Sequence, residues 1–82
     1  MSARVRVVAF ARVADLVGRE AELPIAAGAR VRDAWECLVA RAPALGALAA
    51  STRTARNGRV VDFDEPLADG DELALLPPVG GG

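Results

Sequence analysis

The group with the clearest chemical logic in this chain is the α-carboxylate of Gly82. It ends the run Pro77-Pro78-Val79-Gly80-Gly81-Gly82, which directly follows an apolar stretch. Each proline lacks an N–H and holds φ at about −65°, so the pair stops a strand and sends the chain outward in an extended path. The glycines that follow carry no Cβ and make the thinnest peptide a protein can build. Six extended residues reach up to about 20 Å. Residues 77–82 are therefore expected to form an arm, and residues 1–76 a folded body. Such an arm suits delivery of a carboxylate into a narrow pocket on another protein. Terminal glycines are also common as plain disordered ends. A rigid start, a flexible end and a direct junction with an expected strand favour the arm.

A carboxylate is a poor acyl donor until it is activated. Adenylation by ATP supplies a leaving group, and a sulfur donor can then convert the acyl group to a thiocarboxylate. The chain has no phosphate-cradling Gly-rich loop between strand and helix, so another protein must perform the activation.

Other residues offer less. Asp69, Asp71 and Glu72 cluster at a turn, where carboxylates are usually solvated. A general acid needs burial or a perturbing partner. Asp62, Asp64, Asp69 and Asp71 do not have the spacing of an EF-hand loop. Cys37 falls off the apolar stripe of its expected helix, toward Asp33 and Arg41, without the positive surroundings that activate a thiol. With one Cys and no His, a zinc site and a histidine-assisted nucleophile are excluded by count. No resident metal or cofactor is expected.

The same composition limits the partners. Ten Arg, no Lys and a net charge of −1 argue against a nucleic-acid surface. The absence of Lys also removes a Schiff-base amine. No apolar stretch approaches a membrane span, and the lack of a disulfide framework fits a reducing compartment. A cytoplasmic protein is expected. Eighty-two residues make one domain with a modest core.

The elements that must position the arm follow from periodicity. Arg4 to Phe10 alternates as a strand, with Val5, Val7 and Ala9 on one face and Val8 and Phe10 on the other. Ala11 to Val17 forms about two helical turns closed by Gly18. Arg19 to Ile25 is a second strand. Val31, Ala34, Trp35, Leu38, Val39 and Ala42 make the stripe of a helix over 31–42, with Trp35 as a core anchor and Pro43 as its stop. Arg30 is a poor N-cap, partly offset by Asp33. Residues 44–50 suit one loose turn. Thr52 to Asn57 is a weak strand suited to an edge, and Asn57-Gly58 turns it into Arg59-Val60-Val61. Glu72 to Leu76 is a near-continuous apolar run, expected to be central and buried on both faces.

This order predicts an α+β domain: a mixed sheet of about five strands with one main helix across one face. It is compatible with the β-grasp, or ubiquitin-like, arrangement, with the first and last strands side by side. Phe10, Val60 and Leu76 would then share a face near the root of the arm. There they form an apolar interface patch, unless short helical pieces cover them.

Phe10-Ala11-Arg12, Asp15-Leu16-Val17-Gly18, Asn57-Gly58, Pro66 to Leu73 and the terminal Pro77 to Gly82 together resemble the MoaD family over essentially the whole chain. These are the small, sulfur-carrier subunits of molybdopterin synthase. The resemblance implies a β-grasp fold and adenylation of Gly82 by an E1-like adenylyltransferase that uses ATP. A thiocarboxylate is then installed, and Pro77, Pro78, Val79, Gly80 and Gly81 insert into the large synthase subunit. There sulfur passes to the cyclic pterin precursor of the molybdenum cofactor. It also implies a heterotetramer of two small and two large subunits, an interface through Phe10, Val60 and Leu76, and catalytic side chains that belong to the large subunit. Leu75-Leu76 stand where an aromatic pair is common, Gly80 adds a third glycine, Arg56 replaces a usual apolar residue, and Arg30 replaces a capping Thr or Ser. A carrier for thiamine or cysteine synthesis or transfer-RNA thiolation, a ubiquitin-like protein modifier, and an inert-tailed binding module are the competing readings.

Overall fold

The computed structural model describes residues 3–78. The chain runs through β1 (Ala3–Ala9), α1 (Ala11–Val17), β2 (Glu20–Ile25), α2 (Val31–Arg41), a 3₁₀ segment (Pro43–Ser51), β3 (Arg53–Arg56), β4 (Arg59–Val61) and β5 (Glu72–Leu76). The five strands form one sheet in the order β2-β1-β5-β3-β4. The first and last strands pair in parallel at its centre, and every other pairing is antiparallel. With α2 laid across one face, this is the expected β-grasp.

Alternation in β1 buries Val5, Val7 and Ala9 and leaves Arg4 and Arg6 exposed. Leu23 and Ile25 of β2 and Leu73 and Leu75 of β5 join them on the same face. Val31, Ala34, Trp35 and Leu38 of α2 pack down onto these side chains. Each buried Val, Leu or Ile here contributes about 1.5–3 kcal/mol through removal of apolar area from water, and each Ala less. Trp35 is 5% exposed, and its ring lies 5.6 Å from that of Phe63 in a tilted pair. No helix among the described residues is long and apolar enough to cross a membrane.

The poor cap at Arg30 is relieved by the rest of the fold. The N–H groups of Val31 and Arg32 donate to the carbonyls of Glu65 and Phe63, each at 2.9 Å. The Arg30 N–H donates to Asp33 Oδ2 at 2.8 Å. Donors that a Ser or Thr side chain would satisfy thus reach a neighbouring loop instead.

At the start of α1, Ala11 has φ of 55°, in the left-handed region that costs a residue with a Cβ about 1–2 kcal/mol. We expect Ala11→Gly to stabilise the domain by about 1 kcal/mol, because the released strain exceeds the added freedom of the unfolded chain. Chemical denaturation measures this directly.

Three expectations need correction. Strand β3 is not at an edge: it lies between β5 and β4, and β4 is the edge. Its weak apolar content is offset by polar groups with partners, since the buried Thr54 hydroxyl donates to the Val61 carbonyl at 2.7 Å. Strand β5 is central but buried on one face only; Leu73 and Leu75 are covered, whereas Glu72, Ala74 and Leu76 are half-buried. The apolar run reflects an open face that is also apolar. Finally, the loose turn after Pro43 is nine residues of 3₁₀ helix, anchored by the buried Leu45.

Candidate functional site

The face opposite α2 is the open one. Register places Val60, Ala55, Ala74 and Val8 in a single row across β4, β3, β5 and β1. Leu76 lies in the next row, opposite Arg53. Phe10 extends β1 beside it, its N–H donating to the Leu75 carbonyl at 3.2 Å. Phe10 is 45% exposed and Val60 56% exposed, with Leu76 half-buried between them. Phe10, Val60 and Leu76 thus share one face, as phase counting indicated. The short helical pieces do not cover them.

Half-buried Val8 and Ala74, with the buried Ala55 between Ala74 and Val60, floor the patch. Val8 was legible from the phase of β1. Ala55 and Ala74 were not, because small residues give little periodic signal and their pairing depends on the β3–β5 register. Their size matters here, since two alanines keep the middle of the patch low between larger neighbours. An apolar surface of this kind is a candidate interface.

The far end of the open face is charged and internally paired. Arg4 reaches Glu22 at 3.0 Å, and Arg6 lies 3.4 Å from Glu20 and 3.8 Å from Glu72. These exposed pairs contribute little to stability. They do bound the patch and leave its apolar part at the root of the arm.

Pro77 and Pro78 leave β5 exposed to solvent. With Phe10, Arg12, Leu48 and Thr52 they line a crevice of about 60 Å³. The end of the 3₁₀ segment and the start of α1 therefore flank the root. The remaining arm residues, Val79, Gly80, Gly81 and Gly82, lie outside the described residues.

The turn before β5 holds a buried carboxylate that was expected to be solvated. Asp71 is 7% exposed. Its Oδ2 accepts from Arg56 Nε and from the Ala68 N–H, each at 2.7 Å, and its Oδ1 accepts from Asn57 Nδ2 at 2.9 Å. Burial raises its pKa, but the hydrogen bonds from Asn57, the Ala68 N–H and Arg56 outweigh this and hold it below the ordinary value of 3.8. Its contact with Asp71 raises the Arg56 pKa in turn, with Glu65 contributing at 3.1 Å. Arg56, which stands where the MoaD family commonly has an apolar residue, thus ties β3 to the loop before β5. Asn57 (φ 50°) and Gly58 (φ 86°) form the β3–β4 turn, and the Asn57 backbone N–H donates to the Glu72 carbonyl at 2.8 Å. The cluster is structural, and it fixes where β5 begins.

The other carboxylates go separate ways. Asp69 Oδ1 accepts from the Arg4 N–H at 2.8 Å, Asp64 pairs with Arg32, and Asp62 Oδ1 accepts from the Asp64 N–H at 2.8 Å. Among the described residues no three Asp, Glu, Cys or His side chains converge on a metal position. Cys37 is exposed on α2, on the covered side of the sheet and away from the open-face patch.

Comparison with known proteins places this geometry. The sequence model of the ThiS family matches residues 7–82. The small archaeal modifier protein 1 of Haloferax volcanii is 39% identical over 82 residues, covering 89% of this chain and 94% of its own. Its crystal structure aligns with a TM-score of 0.83 at 34% identity, over 96% of this chain and 99% of that one. The molybdopterin synthase sulfur carrier subunit of Escherichia coli is 38% identical over 80 residues, covering 95% of this chain and 99% of its own. A chain in the complex of subunits 1 and 2 of the molybdopterin-converting factor from Helicobacter pylori aligns with a TM-score of 0.62 at 28% identity, over 96% and 99%. A β-grasp body, a Pro-Pro root beside an apolar patch and a terminal Gly-Gly thus occur together in one chain that belongs to the ThiS family, a sulfur carrier of the ThiS/MoaD type.

Proposed function

We propose that this chain is the sulfur-carrier subunit of a molybdopterin synthase. The observation that carries the reading is the apolar patch of Phe10, Val60 and Leu76 at the root of the arm. Docking through that patch aims the arm into the partner, so recognition and delivery use one surface. The Escherichia coli and Helicobacter pylori relatives support a large synthase subunit as that partner. The assembly is a heterotetramer of two small and two large subunits.

The chemistry proceeds at Gly82. Its carboxylate oxygen attacks the α-phosphorus of ATP on an E1-like adenylyltransferase, and pyrophosphate leaves. Hydrosulfide attacks the acyl carbon and AMP leaves to give the thiocarboxylate directly; a persulfide donor instead gives an acyl disulfide, which a thiol then reduces to the thiocarboxylate and a disulfide. Inserted into the large subunit, the arm passes its sulfur to the cyclic pterin precursor, and water restores the carboxylate. The chain supplies no catalytic side chain and binds no resident cofactor; ATP belongs to the activating partner.

Intact mass spectrometry after incubation with ATP, a sulfur source and the E1-like enzyme tests this. A gain matching replacement of one oxygen by sulfur, localised to Gly82, is expected. The Haloferax relative favours a second reading, a modifier joined to other proteins through the same carboxylate. Adducts on target lysines, with no sulfur delivered to the pterin precursor, would replace the first reading with the second.

The patch makes its own prediction. Val60→Asp puts a charge where the partner packs, and we expect a loss of affinity for the large subunit of about tenfold or more. Because Val60 is exposed, folding stability should change by only about 0.5 kcal/mol. Titration calorimetry and thermal unfolding read the two effects separately.

A further inference from the structure

The open face is charged unevenly. Far from the arm, Arg4 and Arg6 are paired with Glu20, Glu22 and Glu72. At the root, Arg12 and Arg53 have no ion-pair partner among the described residues. Both are exposed. Arg53 stands opposite Leu76, the last residue before Pro77, and its neighbour Thr54 is buried on the helix side, so Arg53 faces outward. Arg12 lines the crevice with Pro77 and Pro78, on the other flank. Two guanidinium groups without an ion-pair partner among the described residues therefore stand at the root of the arm, in a chain whose net charge is −1. Arg19 is also without an ion-pair partner among the described residues, and it shares a concavity beside Phe10 with Arg12, Asp15 and Glu20, so of the arginines near the root Arg53 has the fewest carboxylates around it.

We propose that Arg12 and Arg53 engage carboxylates at the mouth of the channel that receives the arm, so that the partner protein presents an acidic rim around an apolar floor. This rests on the carrier reading. The four residues after Pro78 span at most about 14 Å. With the root seated at the partner's surface, Arg12 and Arg53 stay at the entrance. They take no part in the chemistry. They steer and orient the approach, because guanidinium groups match carboxylates in a bidentate fork and rim charges act mainly on association rate.

The test is stopped-flow association of the full chain with the large synthase subunit of the same organism, at about 20 mM and about 1 M salt. At the higher value the Debye length falls to about 3 Å. We expect Arg12→Glu combined with Arg53→Glu to slow association about tenfold or more at low salt and to match the parent at high salt. Arg12→Gln with Arg53→Gln should fall between. Arg30→Glu, at the opposite end of the molecule, should match the parent throughout. A Glu in the first turn of α1 suits the helix dipole, and Arg53 is exposed, so the double variant is expected to fold. Equal or faster association of the double variant at low salt would overturn the proposal. A chain that gains sulfur at Gly82 yet shows no arginine effect refutes this inference alone. A chain that gains no sulfur, where another carrier does, refutes the carrier reading and this inference with it.

Discussion

Deleting Gly81 and Gly82 abolishes sulfur transfer and leaves the thermal midpoint of the domain where it is in the full chain. The two halves of this expectation have separate physical grounds. The core closes on Leu73 and Leu75, and Pro77 and Pro78 already lie exposed beyond it. The described core is complete within residues 3–78, so stability is expected to stay within about 0.5 kcal/mol. The reach of the arm, however, falls by about 7 Å. A carboxylate moved that far from its place in the activating site is no longer in line with ATP. A misplacement of about 1 Å can cost about a hundredfold in rate, so a shift of this size removes the reaction. Mass spectrometry for the thiocarboxylate and a pterin-conversion assay measure the loss, and differential scanning calorimetry measures the fold. A truncated chain that still carries sulfur would sink the assignment of Gly82.

Asp71→Ala has the largest expected effect on stability, a loss of about 1–3 kcal/mol. The change leaves three donors without their acceptor: Arg56 Nε, Asn57 Nδ2 and the Ala68 N–H. Asn57 and Ala68 are exposed and Arg56 keeps Glu65 at 3.1 Å, so water and Glu65 take up part of the loss and the cost stays near that of one unmet hydrogen bond. Urea denaturation reads it. The same carboxylate sets an acid limit. Its pKa is lower in the folded than in the unfolded chain, so its stabilisation is fully present above the unfolded value of 3.8. It is lost as pH falls through the lower folded value. Asp71→Asn is expected to flatten that part of the stability–pH profile while leaving its neutral-to-alkaline part parallel to the parent.

The sequence carried most of the frame because the strong local signals agreed. Alternation set β1 and β2, helical spacing set α2, Gly18 closed α1, and Asn57-Gly58 placed the hairpin. The root of the arm was legible because two prolines end a strand in any context. What stayed hidden depends on distant pairing. Nothing local says that Thr54 will find the Val61 carbonyl or that Arg56 will find Asp71, and without those partners β3 reads as an edge. The burial of Asp71 is invisible for the same reason. Ala55 and Ala74 matter to the patch through the size of their neighbours, which a linear pattern does not encode.

The central seat of β5 has a mechanical consequence. A partner that draws the arm inward pulls β5 along its own axis. Its hydrogen bonds to β1 on one side and β3 on the other run across that axis and bear the tension together. An edge strand tugged away from its sheet would peel open one bond at a time. On the proposed function, the body would therefore resist a pull on its own tail without unravelling, as repeated insertion and release would require.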